Sequence, residues 1–172
     1  MEHDLHDVIC RIQRSIRYHK ARERFFRFWS GLAGMLCLLA GSAVVVSILA
    51  QGPGWLALGC GAVVAVAQAA EAVLGWSGKA SAHSGFASEF AALERTMALL
   101  PETDARTLKN IGAEILRIEA REPPIYRYLD LICHNQVARA IGSDDVEHLA
   151  WWQRTFAHIL PGASAMETLP RS

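Results

Sequence analysis

Residues 28–50 read FWSGLAGMLCLLAGSAVVVSILA, residues 51–54 read QGPG, and residues 55–76 read WLALGCGAVVAVAQAAEAVLGW. No charged side chain occurs between residues 28 and 70. Each half is about 20 residues long, which is the length that an α-helix needs to cross the hydrocarbon of a bilayer. Both halves should be helical, because lipid offers no hydrogen bonds to unpaired backbone groups. The stretch therefore predicts a transmembrane hairpin with spans at about 29–50 and 55–76.

The tetrapeptide between the spans is expected to form a tight turn outside the far face of the membrane. Gly-Pro-Gly is typical turn chemistry, and Pro53 lacks the N–H that a continuing helix would need. Seven basic residues precede the first span and Lys79 follows the second, whereas the turn has none. The positive-inside rule then places both termini in the cytoplasm.

The rest of the chain is predicted to be helical and soluble. Residues 1–27 carry a net charge of +3, residues 77–172 carry −2, and the whole chain is neutral. No region is basic enough to predict nucleic-acid binding. The expected class is an all-α membrane protein, a two-helix hairpin with a cytoplasmic helical bundle. Its expected regions are a basic amphipathic helix (1–28), the hairpin (29–76), a helical domain (77–160) and a flexible tail (161–172).

Apolar residues at three- and four-residue steps predict the helices of this domain. The basic segment before the first span is expected to continue into it as one helix packed on the later ones. The small, polar stretch 78–85 suggests a weakened helix or a short hinge. Pro101 should end the next helix, and Thr103 or Asp104 should cap the one after. A third helix should run from Ile125 to a C-terminal Gly142, and a fourth should begin at Ser143, with Asp144, Asp145 and Glu147 in its first turn.

Small residues recur every four positions in both spans. Ala33, Cys37 and Gly41 share a face of the first span, and a second set shares a face of the second span: Ala57, Gly61, Ala65 and Ala69. Such stripes let helix backbones approach closely. They fit packing within the hairpin as well as packing between copies, and we expect a homo-oligomer.

Gln68 and Glu71 lie three residues apart and so share a face of the second span. A carboxylate near the end of a span needs a partner or water. One interpretation is a pore lining in an oligomer. The other is a carboxylate at headgroup depth that pairs with Arg24 or Arg27.

Sequence motifs for catalysis and cofactor binding are absent. There is no P-loop, GxGxxG, HExxH or GxSxG pattern, and no CxxC pair among the four cysteines. We therefore expect no enzyme activity, no catalytic residues, no cofactor, no metal site and free thiols.

Two motifs flank the hairpin. Before it stand Ile16-Arg-Tyr18-His19 and Arg22-Glu-Arg-Phe-Phe26, and after it stands EPPIYRYLDLICHN at residues 122–135. Together with the tight hairpin they resemble the SLATT group of bacterial two-span proteins over about Val8 to Leu160. The positions that match the family motifs are Tyr18, His19, Glu122, Pro123, Pro124, Tyr126, Asp130 and Asn135.

The resemblance implies an oligomeric pore-forming effector of a bacterial conflict or antiphage system, held shut until a signal arrives. It also implies a nucleotide-signalling or sensor protein as a possible partner. For the motif residues we favour structural roles: Pro124 would start a helix, and Asp130 and Asn135 would pair with the basic helix. The second functional hypothesis is a non-conducting membrane anchor or scaffold whose soluble helices recruit a partner.

Overall fold

Six helices make up the described part of the chain. The computed structural model describes residues 2–99 and 105–160, with α1 at Glu2–Leu49, α2 at Gly54–Leu74 and α3 at Trp76–Ala98. They are followed by α4 at Ala105–Glu119, α5 at Arg127–Ala140 and α6 at Trp151–Thr155. No strand occurs in these two described ranges. The prediction of an all-α chain is confirmed for them, while the predicted tail, Pro101 and the caps at Thr103 or Asp104 lie outside them.

The chain divides into two units. The hairpin unit is Glu23–Ala82, and the helical unit is formed by the residues up to Arg22 and from His83 onward. Because the boundaries fall inside α1 and α3, both of these helices contribute to both units. The expectation of one continuous helix from the basic segment into the first apolar span is confirmed by α1.

The larger core of the helical unit joins the first half of α1 to α3 and α4. Its buried members are aliphatic side chains and one aromatic ring at helical spacing: Ile12, Ile16, Phe90, Met97, Ile111, Ile115 and Ile118. Phe90 and Ile12 are fully buried. Ion pairs lie at the edge of this core. In one of them the guanidinium of Arg11 donates to both carboxylate oxygens of Glu119 at 2.9 and 2.5 Å. The basic helix therefore packs on the later helices, as the sequence predicts.

A smaller core joins another side of α1 to α5 and the segment after it. It is formed by Tyr18, Leu129, Cys133 and Ala157, each at most 3% exposed. α5 ends where its sequence predicts, because Gly142 has a positive φ of 73°. Ser143 N–H donates to Ala138 O at 2.9 Å, which completes the hydrogen-bonded C-terminal motif that a left-handed glycine permits.

The turn between the spans places its left-handed residue at Gln51, with a φ of 51°, rather than at a glycine. Gly52 N–H donates to Ser47 O at 2.8 Å, and Gln51 N–H donates to Ile48 O at 3.2 Å. These bonds satisfy carbonyls at the end of α1 that would otherwise lack partners. Pro53 then precedes α2 with a φ of −65°, so the predicted tight turn is present.

The break after the second span lies at Gly75 and not in the stretch 78–85. Gly75 has a φ of 59°, and its N–H donates to Glu71 O at 2.8 Å. α2 therefore ends at Leu74, two residues before the predicted end of the span, and α3 begins immediately at Trp76. Small residues such as Gly78 and Gly85 do not interrupt α3, because each adopts helical backbone within a packed helix.

The predicted helix starting at Ser143 is wrong over residues 143–150, which are not helical. The amide side chain of Asn135 holds the backbone of Glu147 at both groups: Oδ1 accepts the N–H at 2.9 Å and Nδ2 donates to the C=O at 2.7 Å. A backbone so paired cannot join a helix ladder. Ser143 Oγ instead accepts the N–H of Asp145 at 3.2 Å, which is a local turn.

Replacing Asn135 with alanine is expected to destabilise the segment 143–150 by about 2 kcal/mol, because two hydrogen bonds of a buried side chain are lost. Hydrogen exchange of amides 143–150 measures the effect. Gln136→Ala, at the neighbouring exposed position, is the control and should leave this exchange unchanged. Equal exchange in Asn135→Ala and the parent chain would show that the Asn135 side chain does not hold this segment.

Candidate functional site

The face of α1 within the hairpin carries the first stripe of small residues. Ala33 is 7% exposed, and Cys37 and Gly41 are half-buried. Cys37 Sγ lies 4.0 Å from Val64 O on α2 and 3.2 Å from the side-chain amide nitrogen of Gln68. The small side chains of α1 therefore face α2, which is the packing within the hairpin that the sequence allowed.

The second stripe has a different position. On α2, Ala57 is half-buried, whereas Gly61, Ala65 and Ala69 are exposed. The residues of α2 that turn towards α1 are instead Cys60, Val64 and Ala67. The stripe predicted for packing thus leaves an uncovered surface of small residues on α2.

Glu71 connects the second span to the next helix. Its Oε1 accepts the backbone N–H of Ser77, in the first turn of α3, at 2.9 Å, and the hydroxyls of Ser77 and Ser30 lie beside it. Arg27, one of the two partners considered from sequence, pairs instead with Glu23 at 2.6 Å. Gln68 is exposed and donates to Cys37 Sγ. Glu71 therefore serves first as a helix cap, and both polar side chains remain on one face of α2.

Tryptophans lie at both ends of the hairpin. The rings of Trp29 and Trp76 lie side by side with centroids 5.9 Å apart, and Trp55 stands at the start of α2, at the opposite end. An apolar groove of about 420 Å³ opens between α1 and α2. It is lined by Trp29 and Trp76 and by small and aliphatic side chains such as Ala33 and Val66.

The motif residues meet in the helical unit, in a group that we call the polar cluster: Tyr18, His19, Arg22, His83, Glu122 and Tyr126. His19 is its centre and is 1% exposed. Its Nδ1 lies 2.9 Å from Nδ1 of His83, and its Nε2 lies 3.1 Å from a carboxylate oxygen of Glu122, whose side chain is 5% exposed. The cluster ties α1 to α3 and to the segment before α5.

Tyr18 and Arg22 extend the cluster along α1. The hydroxyl of Tyr18 accepts the backbone N–H of Tyr126 at 3.0 Å. Arg22 donates to His158 O at 2.7 Å, and its guanidinium carbon lies 4.2 Å from the centre of the Tyr126 ring. Burial of a cation is tolerated where it is hydrogen-bonded and stacked on an aromatic face.

Other motif residues act around the cluster. Asp130 pairs with Arg14 of α1 at 3.3 Å, as expected, whereas Asn135 holds Glu147 rather than the basic helix. Pro123 and Pro124 are exposed in the connection between α4 and α5. Pro124 does not start the helix, since α5 begins at Arg127 with Tyr126 as its N-cap. The expected partner of Asn135 and the expected helix start at Pro124 are thus corrected. The contacts described above agree with structural roles for the motif residues.

Burial and neighbouring charges determine the titration of the cluster. Burial raises the pKa of the Tyr18 hydroxyl and of the Asp130 carboxyl; in Asp130 the charge of Arg14 opposes that effect. Burial, together with the positive charges of His19 and Arg22, lowers the pKa of His83 to about 4. At neutral pH His83 is therefore uncharged.

Sequence reasoning did not single out His83 and gave Arg22 no role beyond a basic flank. A signal for His83 exists, because it precedes Phe86 and Phe90 by three and seven residues and so lies on the apolar face of α3. The His19 ring contacts both of these phenylalanine rings, with centroids 5.2 and 5.9 Å away. A histidine in line with a hydrophobic seam therefore indicates a buried polar contact.

A cleft of about 510 Å³ also opens in the helical unit, between the start of α1 and α5. Two arginines of its lining are close to carboxylates, Arg11 to Glu119 and Arg14 to Asp130, and the His134 ring lies 3.5 Å from a carboxylate oxygen of Asp145. Within residues 2–99 and 105–160, no three His, Cys, Asp or Glu side chains are arranged to hold a metal ion. All four cysteines are free thiols.

No protein-family model matches the chain, and neither a curated protein nor a solved structure shows significant similarity to it.

Proposed function

We propose that this chain is an oligomeric, pore-forming membrane effector of a bacterial antiphage or abortive-infection system, which disrupts the inner membrane when triggered. One observation carries the membrane part of the proposal. In the most apolar stretch of each long helix, only 11% and 6% of the residues are buried. A core helix of a soluble protein would bury most of this surface, whereas lipid is the solvent in which exposed Leu38, Leu58 and Val73 are stable.

The oligomer is supported by the uncovered stripe on α2. Gly61, Ala65 and Ala69 would let a helix of another copy approach closely, because no large side chain stands between the backbones. Gln68 lies three residues after Ala65, at the edge of this face, and in an assembly its amide would have to turn from Cys37 of α1 for the amides of several copies to come near one another. The pore is thereby given a polar wall within otherwise apolar spans.

The role in defence and a nucleotide-signalling or sensor partner are supported by the family resemblance of the flanking motifs. The polar cluster adds that these motifs form one connected set of contacts in the helical unit. A second function, a non-conducting anchor, is favoured by one observation: the Glu71 carboxylate already caps α3 and needs no ion path to explain its place in the span.

Topology can be tested with single cysteines in a chain whose four native cysteines are replaced by serine. We expect cysteine at Gln51 to react with a membrane-impermeant maleimide added outside intact cells, because the turn lies at the outer face. Cysteine at Lys79 should react only after the inner membrane is permeabilised. The reverse pattern would contradict two cytoplasmic termini, and reaction of both positions in lysate supernatant alone would contradict membrane insertion.

Pore formation through the α2 stripe can be tested by release of potassium and of dyes of graded size from liposomes of bacterial lipid. The parent chain should release potassium, and Ala65→Leu should reduce the release at least about tenfold by weakening helix association. Val66→Leu, also exposed on α2 but outside the row of positions that forms the stripe, is the control and should release as the parent does. Full release by Ala65→Leu would exclude this face from the assembly. An inserted, oligomeric parent chain that releases nothing would be either a pore held shut without its trigger or the anchor.

A further inference from the structure

The His19–His83 contact has a defined proton count. Two imidazole Nδ1 atoms 2.9 Å apart are at hydrogen-bond distance, and only one of them can carry the bridging hydrogen. The other ring nitrogen of His19 lies 3.1 Å from a carboxylate oxygen of Glu122, which places a carboxylate beside the ring whenever the ring is charged. The bridge therefore holds one proton whichever ring supplies it.

The bridge survives when one of the two rings is charged, because the neutral ring can present its lone pair, but it has no place for charge on both rings. Two imidazolium ions would put N–H against N–H across 2.9 Å in a region where His19 is 1% and His83 is 4% exposed. Glu122 supplies one negative charge, while the guanidinium of Arg22 adds a further positive charge nearby. Two cations with one counter-ion are not stable at such burial.

The described surroundings of the pair come from α1, α3 and the segment before α5. α1 contributes Tyr18 and Arg22, α3 contributes His83 itself with the rings of Phe86 and Phe90, and the segment before α5 contributes Glu122. Tyr126 stacks on Arg22, and Asp130 acts on Tyr18 at longer range. Among these groups, the two imidazoles are those whose ordinary pKa lies just below neutrality.

We propose that the His19–His83 pair is a proton-binding latch, which joins α1 to α3 while at most one of the two rings is charged and opens this part of the helical unit when both are charged. The latch lies wholly in the helical unit and does not rest on the proposed pore. Its failure would leave the pore proposal untouched, because the test reads opening of the unit and not ion release.

The direction of the pH dependence follows from His83. Its pKa is about 4 in the folded unit and about 6.5 once the unit opens, so the opened state binds the additional proton between these values. Stability is fully present above pH 6.5 and is lost progressively as the pH falls towards 4. Because half of the opened molecules already carry the additional proton at pH 6.5, the opening constant should rise about 15-fold between pH 6.5 and 5.0, rather than the tenfold per unit that holds at lower pH.

Opening can be measured by labelling Cys133, which is 2% exposed and packs against Tyr18, after serine replaces the other three cysteines. Rates at each pH are divided by those of the urea-unfolded chain, which removes the intrinsic pH dependence of the thiol. We expect the opening constant to rise about 15-fold in the parent and less than about threefold in His83→Gln, which keeps polarity but cannot be charged. His148→Gln, at an exposed position, should behave as the parent. Equal slopes in the parent and His83→Gln would overturn the latch.

A measurement on the unaltered side chains covers the case in which His83→Gln does not fold. Hydrogen–deuterium exchange at the imidazole C2 carbon, followed by mass spectrometry, reports the protonation of each histidine separately. At pH 5, in protein whose Cys133 is still protected, His83 should be neutral. Full protonation of both His19 and His83 in the closed unit would overturn the proposal.

Discussion

Replacing Phe90 with alanine is expected to lower the free energy of unfolding of the helical unit by about 4 kcal/mol. The ring is fully buried in the core that joins α1, α3 and α4, and it also stacks on His19. Its removal forfeits transfer of the ring from water and leaves a cavity that the surrounding isoleucines can fill only in part. Urea-dependent labelling of Cys133 measures the change.

Phe156→Ala is the matched control for this prediction, because the same side chain is removed from a position that is 42% exposed. We expect a loss below about 1 kcal/mol there. A loss at Phe90 no larger than that at Phe156 would mean that the first half of α1 does not pack on α3 and α4 as described.

Replacing His19 with alanine is expected to destabilise the helical unit by about 3 to 5 kcal/mol, because it leaves the buried carboxylate of Glu122 without its imidazole partner. Much of this loss should disappear when the stranded charge is also removed. The double variant His19→Ala/Glu122→Ala should therefore be no less stable than His19→Ala alone, with a coupling energy of about 2 kcal/mol.

The same Cys133 labelling in urea, applied to both single variants, the double variant and the parent, completes the cycle. Strict additivity of the two single losses would show that His19 and Glu122 do not interact. Replacement of His148, which is exposed, by alanine provides a baseline for the loss of an imidazole and should stay within about 0.5 kcal/mol of the parent.

Much of the architecture could be predicted from sequence because hydropathy and helical periodicity act locally. The two apolar helices, the turn at Gln51 and the end of α5 at Gly142 follow from chain composition within a few residues. The sequence favours a break in the stretch 78–85, but the chain leaves the helix at Gly75. Several glycines stand nearby, and α3 begins at Trp76, directly after Gly75.

The misassigned helix at 143–150 has a different cause. Ser143 and the acidic residues after it form a good local start signal, but the side chain of Asn135, on another element, takes both backbone groups of Glu147. A tertiary contact of this kind overrides local propensity and has no signature within the segment itself.

The candidate site could be predicted only in part. The motif positions Tyr18, His19 and Glu122 were selected from sequence and do come together, whereas their partner His83 lies in α3 outside either motif. For Glu71 the sequence indicated that the carboxylate needs a partner but not that a backbone N–H of the next helix would supply it. Contacts between distant segments had to come from the structure.

The measurement that tests the account most directly is single-channel current from the purified chain in a planar bilayer, with Glu71→Gln and Glu71→Lys beside it. Glutamine keeps the oxygen that caps Ser77 and removes only the charge, so it separates an electrostatic role from a structural one. The account predicts discrete conductance in the parent, reduced cation preference in Glu71→Gln, and a further reduction or reversal in Glu71→Lys. Absence of current from an inserted oligomer, with the sensor's signal supplied, would contradict it.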